Sequence, residues 1–315
     1  VRVKALLLAA SGLLAAAGVA EAAPHVVVSI KPLHSLVATV MQGVGEPDLI
    51  IQGAGSPHGY SLKPSDARAI ESANVIFWAG PQLETFLEQP LETLSGKASV
   101  VALSDVPGLV KLPLREGGMF EPHHHDDGEE HEDHDHDHDH DHEGFDPHIW
   151  LDPVNAKLMA EAAADTLATA DPQNAASYEK NAEALAARLD SLTSETEAEL
   201  TPLAGKPFIV FHDAYQSFEN RFGVRASGSI TVNPETPPGA RRIAEIRDKV
   251  GSLGAVCIFS EPQFPPALVA TIAEGTGART GILDPIGADL PPGPDLYFEL
   301  IGHLASSLAS CLRGD

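Results

Sequence analysis

Nine of the fifteen histidines in this 315-residue chain fall within one acidic stretch, Glu121 to Glu143 (EPHHHDDGEEHEDHDHDHDHDHE). They are His123, His124, His125, His131, His134, His136, His138, His140 and His142. Imidazoles and carboxylates have protons and metals in common and little else. From His134 to His142 the histidines alternate, so an extended chain would line several imidazoles on one side at roughly 7 Å spacing. Borderline transition metals suit that arrangement. The other reading of such a run is a solvated acidic segment that happens to be rich in histidine.

Six histidines lie elsewhere: His25, His34, His58, His148, His212 and His303. His58 sits in GAGSPHGYSLKPSDA after an apolar run, His148 in FDPHIWLDP, and His212 at the end of the apolar run PFIVF. Asp284 follows another such run in GILDPIG. In α/β sheets, ligands bind beyond the carboxyl ends of the strands, so these four positions are the candidates for a binding site. His25, His34 and His303 are read as structural.

The elements that must position them follow a regular grammar. Short apolar runs at 25–30, 47–51, 74–79 and 99–103 read as strands, with helices at 33–42, 65–72 and 83–91. Strands apolar on both faces and separated by helices predict a parallel sheet covered on both sides. The pattern returns at 207–211, 224–230, 255–259 and 279–283, with helices at 214–222, 239–251, 266–274 and 296–310. Two α/β lobes result. Between them Tyr178, Ala182, Leu185, Leu189, Leu192 and Thr196 recur at helical spacing after Asp171-Pro172, which predicts one helix of roughly 40 Å joining the lobes. Two shorter helices broken near Ser191 are the alternative. The divisions expected are a signal segment over 1–23, an N-terminal lobe over 24–172 that contains the histidine tract, a linking helix over 173–203 and a C-terminal lobe over 204–315.

Charge and the chain ends narrow the function. The formal net charge is −25, and with the tract's 12 acids set aside 33 acids still face 20 bases. That balance argues against a nucleic-acid partner. Arg2 and Lys4, an apolar stretch to Ala20 and the small residues Ala22-Ala23 read as a secretory signal, so a soluble periplasmic protein is expected. Its two cysteines, Cys257 and Cys311, are then expected to form a disulfide that pins the last helix to a core strand and contributes about 3 to 4 kcal/mol.

The segments PHGYSLKPSDA (57–67), HIWLDP (148–153), FHDAYQSFENRFG (211–223) and LDPIG (283–287), with a His/Asp tract just before HIWLDP, resemble the ZnuA-type periplasmic zinc-binding component of metal-uptake ABC transporters. The resemblance covers nearly the whole chain beyond the signal. It implies two (βα)4 lobes joined by a long rigid helix, with a metal in the cleft held by His58, His148 and His212. Asp284 or a water would complete the site. It also implies a monomer that delivers Zn2+ to a membrane permease with a cytoplasmic ATPase, the tract serving as an auxiliary, weaker zinc site. Some relatives carry an acid immediately before the first histidine; here that position is Pro57. Manganese-binding relatives have glutamate in place of the third histidine, and three imidazoles suit Zn2+ better than hard Mn2+. Nickel, a periplasmic zinc store centred on the tract, and a zinc hydrolase remain as other readings, although the chain has no HExxH motif.

Overall fold

The computed structural model describes residues 23–115, 120, 144–231, 234–236 and 238–314. The expected signal segment up to residue 22 and the histidine tract from His123 to His142 lie outside the described residues. Four strands open the chain: β1 (Val26–Val28), β2 (Asp48–Leu49), β3 (Val75–Trp78) and β4 (Ser99–Ala102). They pair in parallel in the order β2-β1-β3-β4. A second parallel sheet, in the order β6-β5-β7-β8, is built from β5 (Phe208–His212), β6 (Gly228–Thr231), β7 (Cys257–Ser260) and β8 (Arg279–Ile282). Of the inner strands, β1, β3 and β5 are buried at every position and β7 at all but Ser260, as expected of strands covered on both faces.

The covering helices are α1 (Lys31–Val40), α2 (Pro64–Ser72) and α3 (Thr85–Leu94) in the first lobe, and α6 (Gln216–Phe222), α7 (Ala240–Leu253), α8 (Ala267–Ala273) and α9 (Leu296–Arg313) in the second. Between the lobes run α4 (Pro153–Ala170) and α5 (Ala175–Leu200). The 26 residues of α5 make a rod of about 39 Å. It is unbroken at Ser191, whose hydroxyl bonds back to the Ala187 carbonyl at 3.2 Å. The stripe expected of it is the stripe it buries, with Leu200 added and Leu192 only half-buried. Asp171 ties down its start by accepting from Asn174 Nδ2 (2.7 Å) and the Tyr178 hydroxyl (2.8 Å). The helix packs on α1 of the first lobe and α9 of the second, and one apolar core runs through both lobes. A smaller core of Ile209, Phe211, Ile230, Ile246, Ile258 and neighbours fills the outer face of the second sheet.

The strand β6 starts later than its apolar pattern suggests. The Ala226 amide is taken by the Glu219 carboxylate (3.1 Å) instead of a neighbouring strand; the first bond to β5 runs from the Ser227 amide to the Phe208 carbonyl (2.8 Å), and register pairing starts at Gly228. The expected disulfide is present: Cys257 at the start of β7 joins Cys311 in α9, with 6.1 Å between their Cα atoms. No helix among the described residues is long and apolar enough to cross a membrane.

Candidate metal centre

Three histidines from three separate segments meet between the lobes. Their ligand atoms lie within 4.8 Å of one another, and they form the one such cluster of three or more His, Cys, Asp or Glu among the described residues. His58 sits in the loop between β2 and α2, where Asp66 staples the chain by accepting from the Lys63 amide (2.8 Å) and the Tyr60 hydroxyl (3.0 Å). His148 ends a loop and caps a single 3-10 turn over Ile149–Leu151. His212 is the last residue of β5, the position the strand-end rule marks.

The HIWLDP segment holds His148 by fastening both lobes. Trp150 is fully buried and donates its indole N–H to the Pro285 carbonyl (2.9 Å), while the Tyr297 hydroxyl donates to the Trp150 carbonyl (2.6 Å). Asp152 caps α4 through the Val154 amide (2.9 Å), and Arg221 of the second lobe grips its two oxygens at 2.7 and 2.8 Å. Pro153 then opens the helix at a position where its missing N–H costs nothing.

The ring orientations have a chemical cause. His148 Nδ1 lies 2.7 Å from Asp146 Oδ1, and His212 Nδ1 lies 2.7 Å from both oxygens of Glu261. A neutral imidazole facing a carboxylate through Nδ1 keeps its proton there and leaves Nε2 with a bare lone pair. Those Nε2 atoms converge: His148 Nε2 is 3.2 Å from His58 Nε2 and 3.4 Å from His212 Nε2. Nitrogens bound at about 2.0–2.1 Å to a tetrahedral zinc stand roughly 3.3–3.4 Å apart. Burial, and then the neighbouring imidazoles, push the pKa values of His58 and His148 well below the usual histidine value. Both therefore stay neutral, the form that binds a metal. Burial raises Asp146 to about 7.

The space the three imidazoles share with Pro57, Glu261, Phe264, Pro285 and Ile286 has a free volume of about 10 Å3, room for one water-sized occupant. A vestibule of about 430 Å3 borders the same histidines and reaches Gln82, Phe120 and Asp213. The larger groove of about 750 Å3 beside α1 has none of the three histidines in its wall.

Asp284, which the resemblance offers with water as alternative fourth ligands, does not join the cluster. One oxygen accepts from Gln263 Nε2 (2.8 Å) and from the Ile286 and Gly287 amides (3.1 and 3.0 Å), and the other accepts from the Ala288 amide (2.5 Å). It is a turn cap. The carbonyls of the same turn are held by Lys31, whose Nζ donates to Gly287 (2.9 Å), Ala288 (2.6 Å) and Leu290 (3.0 Å). Asp284 and Lys31 thus fix the loop whose Pro285 and Ile286 wall the chamber. Asp146 and Glu261 were the residues missed, and both carried a signal. Asp146 stands two residues before His148, and Glu261 directly follows β7, so the strand-end rule applied once more would have found it. Two of the three remaining histidines bond structurally: His25 to Asp48 (2.9 Å) and the Ser72 carbonyl (3.1 Å), His34 to the Pro47 carbonyl (2.9 Å). His303 is exposed on α9.

Residues 26–311 match the family described as the zinc-uptake complex component A, periplasmic. The chain belongs to this family. It is 61% identical over 304 residues to the high-affinity zinc uptake system protein ZnuA of Brucella abortus, 91% of each chain being covered. To the protein of the same description in Yersinia pestis it is 38% identical over 310 residues, with 96% of each covered. The fold is also that of a ZnuA crystal structure, with a TM-score of 0.75 at 24% identity over 92% of this chain and 99% of the other. Zinc-uptake membership places the chain among solute-binding transport proteins, whereas three histidines and an open coordination position would also suit a zinc hydrolase.

Proposed function

We propose that this protein captures Zn2+ in the periplasm and hands it to a membrane permease driven by a cytoplasmic ATPase. His58, His148 and His212 supply the three ligand nitrogens, and a water takes the fourth position. The observation that carries the reading is that His148 Nε2 stands 3.2 Å from His58 Nε2 and 3.4 Å from His212 Nε2 within one three-histidine cluster, with His148 and His212 backed by carboxylates on Nδ1. Lone pairs aimed at one another repel, and a cation between them turns that repulsion into binding. Zinc is favoured over manganese because the set is nitrogen and Asp284 is spent on its own turn.

The tract from His123 to His142 serves as an auxiliary, weaker collector in this account. The leader over 1–23 directs export. The test is a competitive titration of the metal-free protein with zinc, manganese and nickel, repeated on the His58→Ala, His148→Ala and His212→Ala variants. One tight zinc equivalent, lost in each variant, is expected. Tight binding that survives all three substitutions and vanishes on deleting Glu121 to Glu143 would make the tract the principal site and the protein a store.

A further inference from the structure

Three carboxylates beside the histidine cluster are engaged. Asp146 and Glu261 face the Nδ1 atoms of His148 and His212, and Asp284 caps its turn. Asp213 is the fourth. It directly follows His212 and lines the vestibule beside the three histidines, so a rotamer change could carry its oxygens toward a bound cation. Arg115 prevents that. Its Nε donates to Asp213 Oδ2 (3.0 Å) and its Nη2 to Asp213 Oδ1, so the guanidinium takes both oxygens in a fork. The guanidinium is itself immobilised from behind. Nη1 and Nη2 donate to the buried carboxylate of Glu219 (2.6 and 3.2 Å), which also accepts from the Ala226 amide, and the Phe120 ring lies 4.2 Å from the guanidinium carbon.

We propose that Arg115 is a specificity-determining residue: by clamping Asp213 it keeps this hard oxygen ligand from joining the three imidazoles around the cation. The inference rests on the cleft being the metal site. Its logic is that of ligand type. Affinity at a given site rises toward the end of the first transition row whatever the ligands, but a carboxylate narrows the gap by favouring Mn2+ relative to an all-nitrogen set. Specificity here comes from removing a competing ligand as much as from supplying the right ones. A lysine would not serve, because a point charge cannot hold two oxygens at fixed positions.

The experiment measures zinc and manganese affinities of the full chain and its Arg115→Met variant. Zinc is followed by competition with a chromophoric chelator, and manganese by the electron paramagnetic resonance signal of the free ion. Arg115→Met is expected to bind Mn2+ about tenfold or more tightly than the unaltered protein, lowering the zinc-to-manganese ratio by a comparable factor. Adding Asp213→Asn should return the ratio to its original value, since the freed side chain then lacks the charge. Cobalt in the single variant should show an absorption spectrum altered by an added oxygen ligand. If Arg115→Met does not fold, Arg115→Lys is expected to shift the ratio in the same direction by less. An unchanged ratio in a folded Arg115 variant, or a fall that persists in the double variant, overturns the proposal. Failure of the unaltered protein to bind zinc tightly would overturn the metal-site reading itself, and this inference with it.

Discussion

Replacing Asp146 by Asn changes one atom and tests whether the carboxylate behind His148 matters to zinc. Asp146 is buried, and its Oδ1 receives both the ring Nδ1–H (2.7 Å) and the backbone amide (3.1 Å) of His148. The asparagine oxygen can accept the same two bonds, so the ring stays in place and its tautomer is preserved. At pH 8, above the raised pKa of about 7 that burial gives Asp146, what is lost is the charge that makes the imidazole a stronger donor to a metal. Changes in such outer partners cost about 10- to 100-fold in affinity, or roughly 1.4 to 2.7 kcal/mol. Competitive titration against a chelator of known affinity measures it, with circular dichroism and thermal melting of the metal-free protein as controls for the fold. The same loss is expected for Glu261→Gln, which stands in the same relation to His212 at 2.7 Å. Zinc affinity within twofold of the unaltered protein in both variants would show that the carboxylates merely fill space.

Glu84 offers a pH test away from the metal. It is fully buried at the start of α3, accepts from the Ala79 amide (2.6 Å), and burial raises its pKa to about 7. Because the folded value lies above the unfolded one, its stabilising contribution is complete below about pH 4.5 and is lost as pH rises through about 7. Glu84→Gln should therefore gain on the unaltered protein by an amount growing toward roughly 3 kcal/mol between pH 5 and pH 8, read as the difference in urea midpoints; a pH-independent difference would contradict it. Converting Cys257 and Cys311 to alanine opens a loop with a sequence separation of 54 and is expected to cost about 4 kcal/mol on the chain-entropy account, seen as a lowered melting temperature; no change would refute the estimate. Trp150→Phe leaves the buried Pro285 carbonyl without its donor and should cost about 1 to 3 kcal/mol of stability. It should also speed zinc loss to a chelator, because Pro285 walls the chamber, and an unchanged release rate would separate that wall from metal retention.

Much of this site was legible because function concentrates at chain positions that sequence marks well. His58, His148 and His212 each stand in or before a loop bounded by apolar runs, proline or glycine, and the parallel sheets bring those loops to one place. The choice between Asp284 and water as fourth ligand was not legible in the sequence, because Asp followed by Pro and Gly is also a turn sequence, and here the carboxylate accepts from three backbone amides of its own turn. The role of Arg115 could not be read from the chain at all, because its partners Asp213 and Glu219 are about a hundred residues away and only the fold brings them together. The late start of β6 has a similar cause, a side-chain carboxylate taking an amide that the apolar pattern assigns to a strand. The long helix was legible in its stripe, since a pattern repeating from Tyr178 to Thr196 over about five turns needs no tertiary information, whereas its continuity past Ser191 was left open by the sequence.

The most direct measurement is an anomalous-diffraction map at the zinc edge from crystals of the full chain loaded with one equivalent of zinc. A single strong peak is expected within about 2.0–2.1 Å of the Nε2 atoms of His58, His148 and His212, with Asp284 still capping its turn and Asp213 still held by Arg115. A zinc peak held by Asp284, or one equivalent bound by the tract with the three imidazoles left empty, would contradict it.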